Sequence, residues 1–571
     1  MREMAILKPF ELKARLDQPA ELALIDVSEE GEFGLGHLFR AVNVPYSRLE
    51  LLIRPLVPRL SCPIVLVDHG NGIASLAAQR LRAMGYGAIE ILDGGTAGWA
   101  HAGYQLFHGV YVPSKAFGEW VEHEFDTPSI DAHTLSALLE GNEDVVVLDP
   151  RTVAEHAVRH VPGAIACPGA ELLYRFGDLV PSPQTLVVVA CGGRTRGIMG
   201  AQSLITAGVP NRVVALADGN HGWTLAGLAL EEGLQRAYGR ASAQGASMAR
   251  ERADAVLRRY RIPVVDRDIL AQWLRDNDSG ERSTFAFDIR AHDEYQAAHL
   301  PGTRSAPGGQ LIQATDQWVG TLGARIVLVD DDGVRAVLTA YWMGLMGWDV
   351  HVLRDHGTAT GATHHDAASA AAGKSAAITA DMAADMAARV VREARRAEVR
   401  AEEIEPSLAA QQLTRGALAV SVDSSADYLS RHPRGALWAN RARLGPVVEA
   451  AKSTSALLLF SVDGESAHLA ALDLQERLGA SGPAVQVVRG GMEAWIEAGL
   501  PVDAAPEDRL AQADRIDTLY WAHDRRRGNL EAMRTYLEWE KHLLAQMAAD
   551  GVQFTSSARD ERPVTSAMTK D

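Results

Sequence analysis

The sequence predicts an α/β fold that is repeated four times along one chain. Each repeat opens with an apolar strand that ends in Asp, at Asp26, Asp149, Asp288 and Asp423. A second apolar strand ends 42 residues after that Asp in the first three repeats and 38 residues after it in the fourth. Continuous Val, Ile and Leu strands that alternate with amphipathic helices are typical of parallel sheets covered on both faces. The constant spacing indicates duplicated domains in tandem.

The elements of each repeat follow in a fixed order. The first strands read LALIDVS, VVVLDPR, FAFDIR and LAVSVDS, and the second strands read PIVLVD, LVVVAC, RIVLVD and ALLLFS. A helix-period stretch such as GIMGAQSLITAGV then leads to a third strand. Between the first two strands each repeat has a His beside a turn, and three repeats have a Trp after the third strand: His37, His160, His299, His432, Trp99, Trp223 and Trp495. Because these residues recur in repeats without a loop cysteine, we expect them to be structural.

The repeats and the segments around them define six regions. We predict domains at 1–110, 125–235, 260–360 and 405–505, an Ala-rich linker and helix at 361–404, and a helical tail at 506–571. Between the first two domains, Phe117, Trp120 and Val121 can share one face of a packed helix. The aromatic residues of the tail predict that it docks on a neighbouring domain. They are Tyr520, Trp521, Tyr536 and Trp539.

Composition and charge exclude several classes of function. The 571 residues carry a net charge of -17 without a basic run, which argues against binding of nucleic acid or of an anionic membrane. Three cysteines are too few for a disulfide framework, and neither a signal-peptide pattern nor a run of 18 apolar residues is seen. We therefore expect a cytoplasmic protein that needs no cofactor and no metal. The sequence leaves open whether it forms a homodimer.

The turn after the second strand carries chemistry in one repeat. Ligands bind outside the carboxyl ends of parallel strands. In the second repeat this turn reads Cys191, Gly192, Gly193, Arg194, Thr195, Arg196. The glycines allow a tight turn, converging N–H groups form an anion-binding nest, and the helix that follows adds partial positive charge. These features, with two arginines, predict that Cys191 is a nucleophile.

The pKa of the Cys191 thiol decides how much of it is thiolate at neutral pH. A free cysteine with a pKa of about 8.5 is a few per cent thiolate at pH 7. Lowering that pKa by about two units, worth roughly 2.7 kcal/mol, makes the thiolate the majority form. We expect the nest, the helix start and the arginines to supply this shift for Cys191.

The other cysteines and the other repeats lack this setting. Cys62 precedes a strand and Cys167 lies in a short one, so both are expected to be packed or incidental thiols. Asp68, Asp330 and Ser461 stand where Cys191 does in its repeat, and none of them supplies a thiol. A carboxylate there would fill the nest with its own charge and lock the loop. We expect three packing domains, with an effector or partner site as the alternative.

Three residues of the second repeat are candidates for support of the loop. Asp149, Arg151 and Glu155 are predicted at the same edge of the sheet as Cys191. The two carboxylates could pair with Arg151, Arg196 or a backbone amide and so fix the loop. We favour this supporting role over direct participation in chemistry.

The motifs of the second repeat are informative as an ordered set. They are Asp149 to Arg151, Glu155, the run from His160 to Ala164, Cys191 with its loop to Arg196, and Asp218-Gly219 followed by Trp223. This set resembles the rhodanese family of sulfurtransferases, and all four repeats look like rhodanese domains. The resemblance implies that Cys191 takes a sulfane sulfur from a small donor such as thiosulfate or 3-mercaptopyruvate, carries it as a persulfide and gives it to cyanide or a thiol. It also implies that the backbone of Gly192, Gly193, Arg194, Thr195 and Arg196 cradles the persulfide.

The loop departs from the common family pattern Cys-x-x-Gly-x-Arg. Arg194 stands at the fourth place instead of Gly, and Gly197 follows Arg196 instead of Ser. We expect Arg194 to face the mouth of the pocket and attract a dianionic donor such as thiosulfate. The loop matches neither the thiosulfate-preferring nor the mercaptopyruvate-preferring pattern and so does not select one donor.

Two other functions compete with sulfur transfer. Cysteine phosphatases and arsenate reductases of related fold use a Cys-x5-Arg loop, but Arg196 lies five positions after Cys191, one residue short. This spacing favours sulfur over phosphate. The second rival is a scaffold or sulfur relay that receives persulfide from a partner protein, and three repeats without the cysteine favour it. Turnover with small donors separates a relay from an enzyme.

Overall fold

Four five-stranded parallel sheets form the framework of the chain, one in each predicted repeat. The computed structural model describes residues 4–280, 282–354, 401–506, 509–519 and 528–555. Every sheet has the same order, with its first strand at one edge, followed by its fifth, fourth, second and third strands. Helical crossovers join these strands, as parallel pairing requires. The predicted α/β fold with four parallel sheets is confirmed.

The first two sheets and their helices alternate regularly along the chain. The first contains β1 (Ala5–Leu7), β2 (Ala23–Asp26), β3 (Val42–Asn43), β4 (Ile64–Val67) and β5 (Ile89–Leu92), with α1 (Pro9–Leu16), α2 (Glu30–Leu35), α3 (Leu49–Leu56), α4 (Ile73–Ala83) and α5 (Gly95–His101). Helix α6 (Val112–Phe125) follows. The second contains β6 (Ser129–Ile130), β7 (Val145–Asp149), β8 (Ile165–Ala166), β9 (Leu186–Val189) and β10 (Val213–Leu216), with α7 (Ala132–Glu140), α8 (Val153–Val158), α9 (Glu171–Leu179), α10 (Thr195–Thr206) and α11 (Gly219–Leu225).

The third and fourth sheets repeat this alternation. Helix α12 (Ala243–Arg259) leads to β11 (Val264–Val265), β12 (Thr284–Asp288), β13 (Arg304–Ser305), β14 (Arg325–Val329) and β15 (Asp349–Leu353), with α13 (Arg267–Ser279), α14 (His292–Ala297), α15 (Gly308–Gln313) and α16 (Arg335–Leu345). The fourth contains β16 (Glu403–Ile404), β17 (Leu418–Ser421), β19 (Leu437–Trp438), β20 (Ala456–Phe460) and β21 (Ala484–Val488), with α17 (Pro406–Leu413), α18 (Ser425–Ser430), α19 (Gly445–Ala451), α20 (Ser466–Leu478) and α21 (Gly491–Glu497). Strands β18 (His432–Pro433) and β22 (Val502–Asp503) form a separate antiparallel pair, and α22 (Leu530–Ala549) follows.

The described residues form two compact units. One holds the first and fourth sheets, and the other holds the second and third sheets together with α6 and α22. In the first unit, Arg441 joins its two domains through Glu50 at 2.6 Å and Asp473 at 3.0 Å. None of the described helices is both long and apolar enough to span a membrane.

The recurring Trp and His residues hold the end of each domain in place. The indole N–H groups of Trp99, Trp223 and Trp495 each donate to the carbonyl six residues later, at 2.9–3.0 Å, and each side chain is buried. The ring of each His stacks on the residue four positions earlier, and its Nδ1 lies 2.6–3.0 Å from that residue's carbonyl oxygen. These contacts support the expectation that the residues are structural.

Two segments outside the repeats pack as helices. In α6, Phe117 and Val121 are fully buried and Trp120 packs on the same core, as predicted. In α22, Tyr536 is buried, which confirms that this part of the tail docks within its unit. Tyr520 and Trp521 lie outside the described residues, as does the predicted linker of 361–404 up to residue 400. The first strand of the fourth sheet, Glu403–Ile404, occupies the end of that predicted linker.

One buried arginine joins the second and third domains. Arg335 is fully buried and donates to Glu171 of the second domain at 2.6 Å and to Glu294 of the third at 2.6 Å. It also pairs with Asp332. It lies five positions after Asp330, as Arg196 does after Cys191, so the loop arginine of the third domain serves as an interdomain bridge.

We predict that Arg335→Met destabilises this unit by about 3–5 kcal/mol, because it leaves buried carboxylates without their cation. Urea unfolding followed by tryptophan fluorescence measures the change. Arg159→Met is the control, since the Arg159–Glu232 pair is exposed and is worth at most about 1 kcal/mol. Equal losses for the two variants would contradict the interdomain role.

Candidate active site

Cys191 lies where the sheet edge meets the start of α10. It follows β9 at the carboxyl end of the second sheet, and only 2% of it is exposed. The carbonyl oxygens of Cys191 and Gly192 accept hydrogen bonds from the backbone N–H groups of Asn220 at 2.7 Å and His221 at 3.1 Å. These bonds turn the loop carbonyls toward α11. The N–H groups of Gly193 and Gly197 are directed at the sulfur and favour its anionic form.

The turn at the start of α11 can approach the cysteine loop closely because Gly219 has no Cβ. Asp218 and Gly219 both have positive φ, at 56° and 53°. A Cβ on Gly219 would collide with the carbonyl oxygens of Cys191 and Gly193. Gly95 and Gly491 face the same collision with the carbonyls of Asp68 and Ser461 in their own repeats. The close approach of this glycine to the loop carbonyls therefore recurs in three repeats, and in the second repeat the loop carries a cysteine.

The charge state of the thiol differs from the expectation. Burial raises the pKa of the Cys191 thiol above its ordinary value, although Arg196, the N–H of Gly197, Lys115 and the N–H of Gly193 all act to lower it. The prediction of a majority thiolate at pH 7 is therefore wrong for this closed state. The nest and the cations are present as predicted, but removal of the sulfur from water outweighs them.

The predicted supporting residues form two ion pairs beside the loop. Arg196 donates to Glu155 at 2.6 and 2.8 Å, and this charge lowers the pKa of Glu155 well below its usual range despite burial. Glu155 also completes a capping box with Thr152 at the start of α8. Arg151 donates to the buried Asp149 at 2.6–3.1 Å, and its Cδ lies beside Gly192.

Arg194 is engaged differently from the expectation. Its guanidinium donates to Glu119 at 2.7 and 2.9 Å, to Asp218 at 3.0 Å and to Glu122. The side chain is 9% exposed. Three carboxylates compensate its charge, which corrects the expectation that Arg194 is available to attract a dianionic donor. Thr195, at the first position of α10, directs its hydroxyl to Glu540 at 3.3 Å.

Residues from α6 and α22 complete the site, and sequence reasoning missed them. Lys115 and Glu119 come from α6, about 75 residues before the loop, and Tyr536 and Glu540 come from α22, about 345 residues after it. Lys115 Nζ lies 3.0 Å from Glu540 Oε1, and Tyr536 donates to the same oxygen at 2.7 Å. The aromatic residues of the tail signalled docking, but nothing in the sequence gave the place of docking.

The corresponding loops of two other repeats are filled by their own carboxylates. Asp68 accepts from the N–H groups of Gly70 at 2.9 Å and Ala74 at 3.0 Å, and Asp330 accepts from those of Gly333 at 3.1 Å and Ala336 at 2.9 Å. The carboxyl groups therefore occupy the nest, as expected. Burial and the neighbouring Asp332 raise the pKa of Asp330, which opposes the negative charge that was expected there.

A histidine pair distinguishes the second repeat. The stacked partner of the recurring His is Phe33, Tyr295 or Tyr428 in the other repeats. In the second repeat it is His156, whose Nδ1 lies 2.9 Å from Asp149 Oδ2. Asp149 thus has an imidazole partner in addition to Arg151, and although burial opposes it, these partners lower its pKa.

The remaining thiols and possible metal ligands take no part in this arrangement. Cys62 and Cys167 are fully buried, and burial raises the pKa of Cys167 well above its ordinary value. Among the residues that the structure describes, no group of three or more His, Cys, Asp or Glu side chains is placed to hold a metal ion.

Comparisons with known proteins find matches to single domains and to nearly the full chain. A family model of the rhodanese-like domain matches residues 8–102, 131–226 and 270–357, and the fourth sheet, outside these matches, shares their strand order. The crystal structure of thiosulfate sulfurtransferase from Pseudomonas aeruginosa is 40% identical, covers 96% of this chain and 98% of that chain, and has a TM-score of 0.83. A protein from Lactobacillus plantarum is 33% identical over 18% of this chain and 87% of that chain, with a TM-score of 0.17. The rhodanese-like domain of a protein from Anabaena is 27% identical over 18% and 79%, with a TM-score of 0.17. No curated protein matches the chain significantly.

The raised pKa of Cys191 predicts how its alkylation depends on pH. The rate constant for iodoacetamide should rise with pH through a midpoint above the value of about 8.5 for a free cysteine. Mass spectrometry of alkylated peptides over pH 6–10 measures this midpoint for Cys191 and reports the buried Cys62 and Cys167 as internal controls. A midpoint below 7 would show that the loop keeps a thiolate at rest.

The His156–Asp149 contact predicts a difference between two substitutions. His156→Phe places the residue of the first repeat at this position, so the stacking is kept, but it removes a donor from the buried Asp149 and should cost about 1–3 kcal/mol. His156→Asn supplies an N–H near the position of Nδ1 and should recover most of this loss. Urea unfolding of both variants tests the prediction, and equal stability would contradict it.

Proposed function

The chain belongs to the rhodanese family of sulfurtransferases, and from this premise we propose that it transfers a sulfane sulfur from a small donor to a thiophilic acceptor through a persulfide on Cys191. Thiosulfate is the donor that we favour, because the relative that matches nearly the full chain is a thiosulfate sulfurtransferase. Cyanide and small thiols are the proposed acceptors. The proposed reaction uses no cofactor, and a reducing cytoplasm suits a carrier with three free thiols.

The position of Cys191 is the observation that carries this proposal. Its sulfur lies at the end of β9, facing the N–H groups of Gly193 and Gly197, with Arg196 and Lys115 contributing positive charge. These groups favour a negative charge on a sulfur atom at this place. They would equally stabilise the terminal sulfur of a persulfide anion. The backbone from Gly192 to Arg196 is the proposed cradle.

The proposed reaction has two balanced steps. Cys191 gives up its proton, and its thiolate attacks the outer sulfur of thiosulfate. The S–S bond of the donor breaks, sulfite leaves with the bonding electron pair, and Cys191 keeps the sulfur as a persulfide. An acceptor such as cyanide then attacks the terminal sulfur, thiocyanate leaves, and the electron pair of the broken S–S bond returns to Cys191 as a thiolate.

The ion-paired residues beside the loop hold the loop and its charges in place during sulfur transfer. Arg196, held by Glu155, keeps a positive charge close to the sulfur through both steps. Asp149 and Arg151 support the turn at Gly192. We propose these as positioning residues, and Cys191 as the residue that forms covalent bonds to sulfur.

A sulfur relay is the second candidate function. The observation that favours it is the burial of Cys191, which is 2% exposed and whose loop lies against α22 at Gly193. A relay would accept persulfide from a partner protein whose docking uncovers the thiol. It would react once with a small donor, if at all, and would not turn over without its partner.

The proposal predicts a cyanide-labile gain of one sulfur atom. The full chain is incubated with excess thiosulfate, freed of donor and measured by intact mass before and after cyanide. Cys191→Ser should show no gain, whereas Cys167→Ser should behave as the unchanged protein because that thiol is buried elsewhere. Repeated cycles of donor and cyanide should release thiocyanate in excess over protein. No gain with thiosulfate, mercaptopyruvate or glutathione persulfide would overturn the small-molecule function and favour the relay.

A further inference from the structure

A helix outside the four repeats lies directly on the cysteine loop. A Cβ on Gly193 would be 3.4 Å from both Glu540 Oε2 and Tyr536 Cε1 of α22. Lys541, one position further, pairs with Asp218 at 3.5 Å. The helix is fixed by buried apolar side chains on the same face, namely Met533, Leu537, Leu543 and Met547. Residues of α22 therefore belong to the surroundings of Cys191.

Glu540 is the buried carboxylate of this helix. It is 0% exposed and lies within reach of three donors: the hydroxyl of Tyr536 at 2.7 Å, the ammonium of Lys115 at 3.0 Å and the hydroxyl of Thr195 at 3.3 Å. A buried carboxylate is tolerated where a cation and hydrogen-bond donors surround it. The three donors come from α22, α6 and the first residue of α10. They form an anion site that the chain fills with its own side chain.

The carboxylate of Glu540 affects the electrostatic environment of Cys191 through Lys115. Lys115 favours the thiolate of Cys191. The carboxylate of Glu540 lies 3.0 Å from this ammonium, and its opposite charge weakens the positive field that Lys115 exerts on its surroundings. The two loop arginines are compensated in the same way, Arg194 by Glu119, Glu122 and Asp218, and Arg196 by Glu155. The closed site thus presents paired charges to an incoming donor.

We infer that Glu540 holds the place of the donor's anionic group and thereby sets the affinity of the site for anionic donors. This inference rests on the proposed function. An anionic donor exchanges with the carboxylate for Lys115 and for the Thr195 hydroxyl, and no covalent bond is made or broken in the exchange. A dianion competes for the ammonium better than a monoanion does, so the exchange favours thiosulfate over 3-mercaptopyruvate.

Glu540→Gln tests the exchange with little change of shape. The substitution removes the competing charge, so the KM for thiosulfate should fall severalfold with kcat preserved. Alkylation of Cys191 by neutral iodoacetamide at pH 7 should become faster, because Lys115 is no longer neutralised. Glu538→Gln is the matched control, since Glu538 lies exposed on the same helix, and it should change neither quantity.

Two further variants keep the inference open to refutation. Tyr536→Phe removes one hydrogen-bond donor to Glu540 and should lower the KM for thiosulfate by a smaller factor than Glu540→Gln does. In Lys115→Met the KM should rise, and adding Glu540→Gln should then bring no further gain, since its effect acts through the ammonium. An unchanged or raised KM in Glu540→Gln, or a fall in kcat, would overturn the inference.

The alkylation assay separates this inference from the proposed function. It needs no sulfur transfer, so faster alkylation in Glu540→Gln together with no persulfide from any small donor would refute the proposed function while supporting the control of Cys191 by Glu540. Persulfide formation with unchanged alkylation and unchanged KM would support the function and refute the inference.

Discussion

The carbonyl oxygen of Cys191 accepts a hydrogen bond from the N–H of Asn220 at the start of α11, and this bond fixes the direction in which the cysteine loop turns. With the carbonyls bound on that side, the N–H groups of Gly193 and Gly197 face the sulfur. The approach requires a residue without Cβ at Gly219. The anion-binding character of the loop thus comes from backbone that the whole fold holds in place, and the side chains around it adjust the charge.

Those side chains are arranged as compensated pairs. Arg196 with Glu155, Arg194 with three carboxylates, and Lys115 with Glu540 bring three cations close to the loop without a large net charge. Compensation lowers the cost of burying each group, while burial of the sulfur itself raises the pKa of the Cys191 thiol. A nucleophile that is neutral at rest is less exposed to oxidation and alkylation, since the thiolate is the reactive form.

The four repeats share one fold but carry different residues at the loop and beside it. The Trp bond to a carbonyl and the stacked His keep the domain ends alike, whether or not the loop carries a cysteine. In the third domain the carboxyl of Asp330 occupies the nest, and the arginine five positions later bridges two domains instead of facing a sulfur. The second domain departs from the others at His156, where an imidazole replaces Phe or Tyr and binds Asp149. These differences lie at positions that do not disturb the sheet.

The sequence by itself determined the four-sheet fold, because strand and helix periods and the spacing from Asp to loop are local and repeat along the chain. It also determined Cys191 and its glycine turn and indicated Asp149 and Glu155 as supporting carboxylates, since these lie within one repeat, but it left their partners open. The environment of the loop was decided by tertiary structure alone. Lys115, Glu119, Tyr536 and Glu540 reach it from helices far away in sequence, and the carboxylate of Glu119 engages Arg194. The protonated state of Cys191 has the same origin, because burial is a sum over neighbours that no local motif encodes.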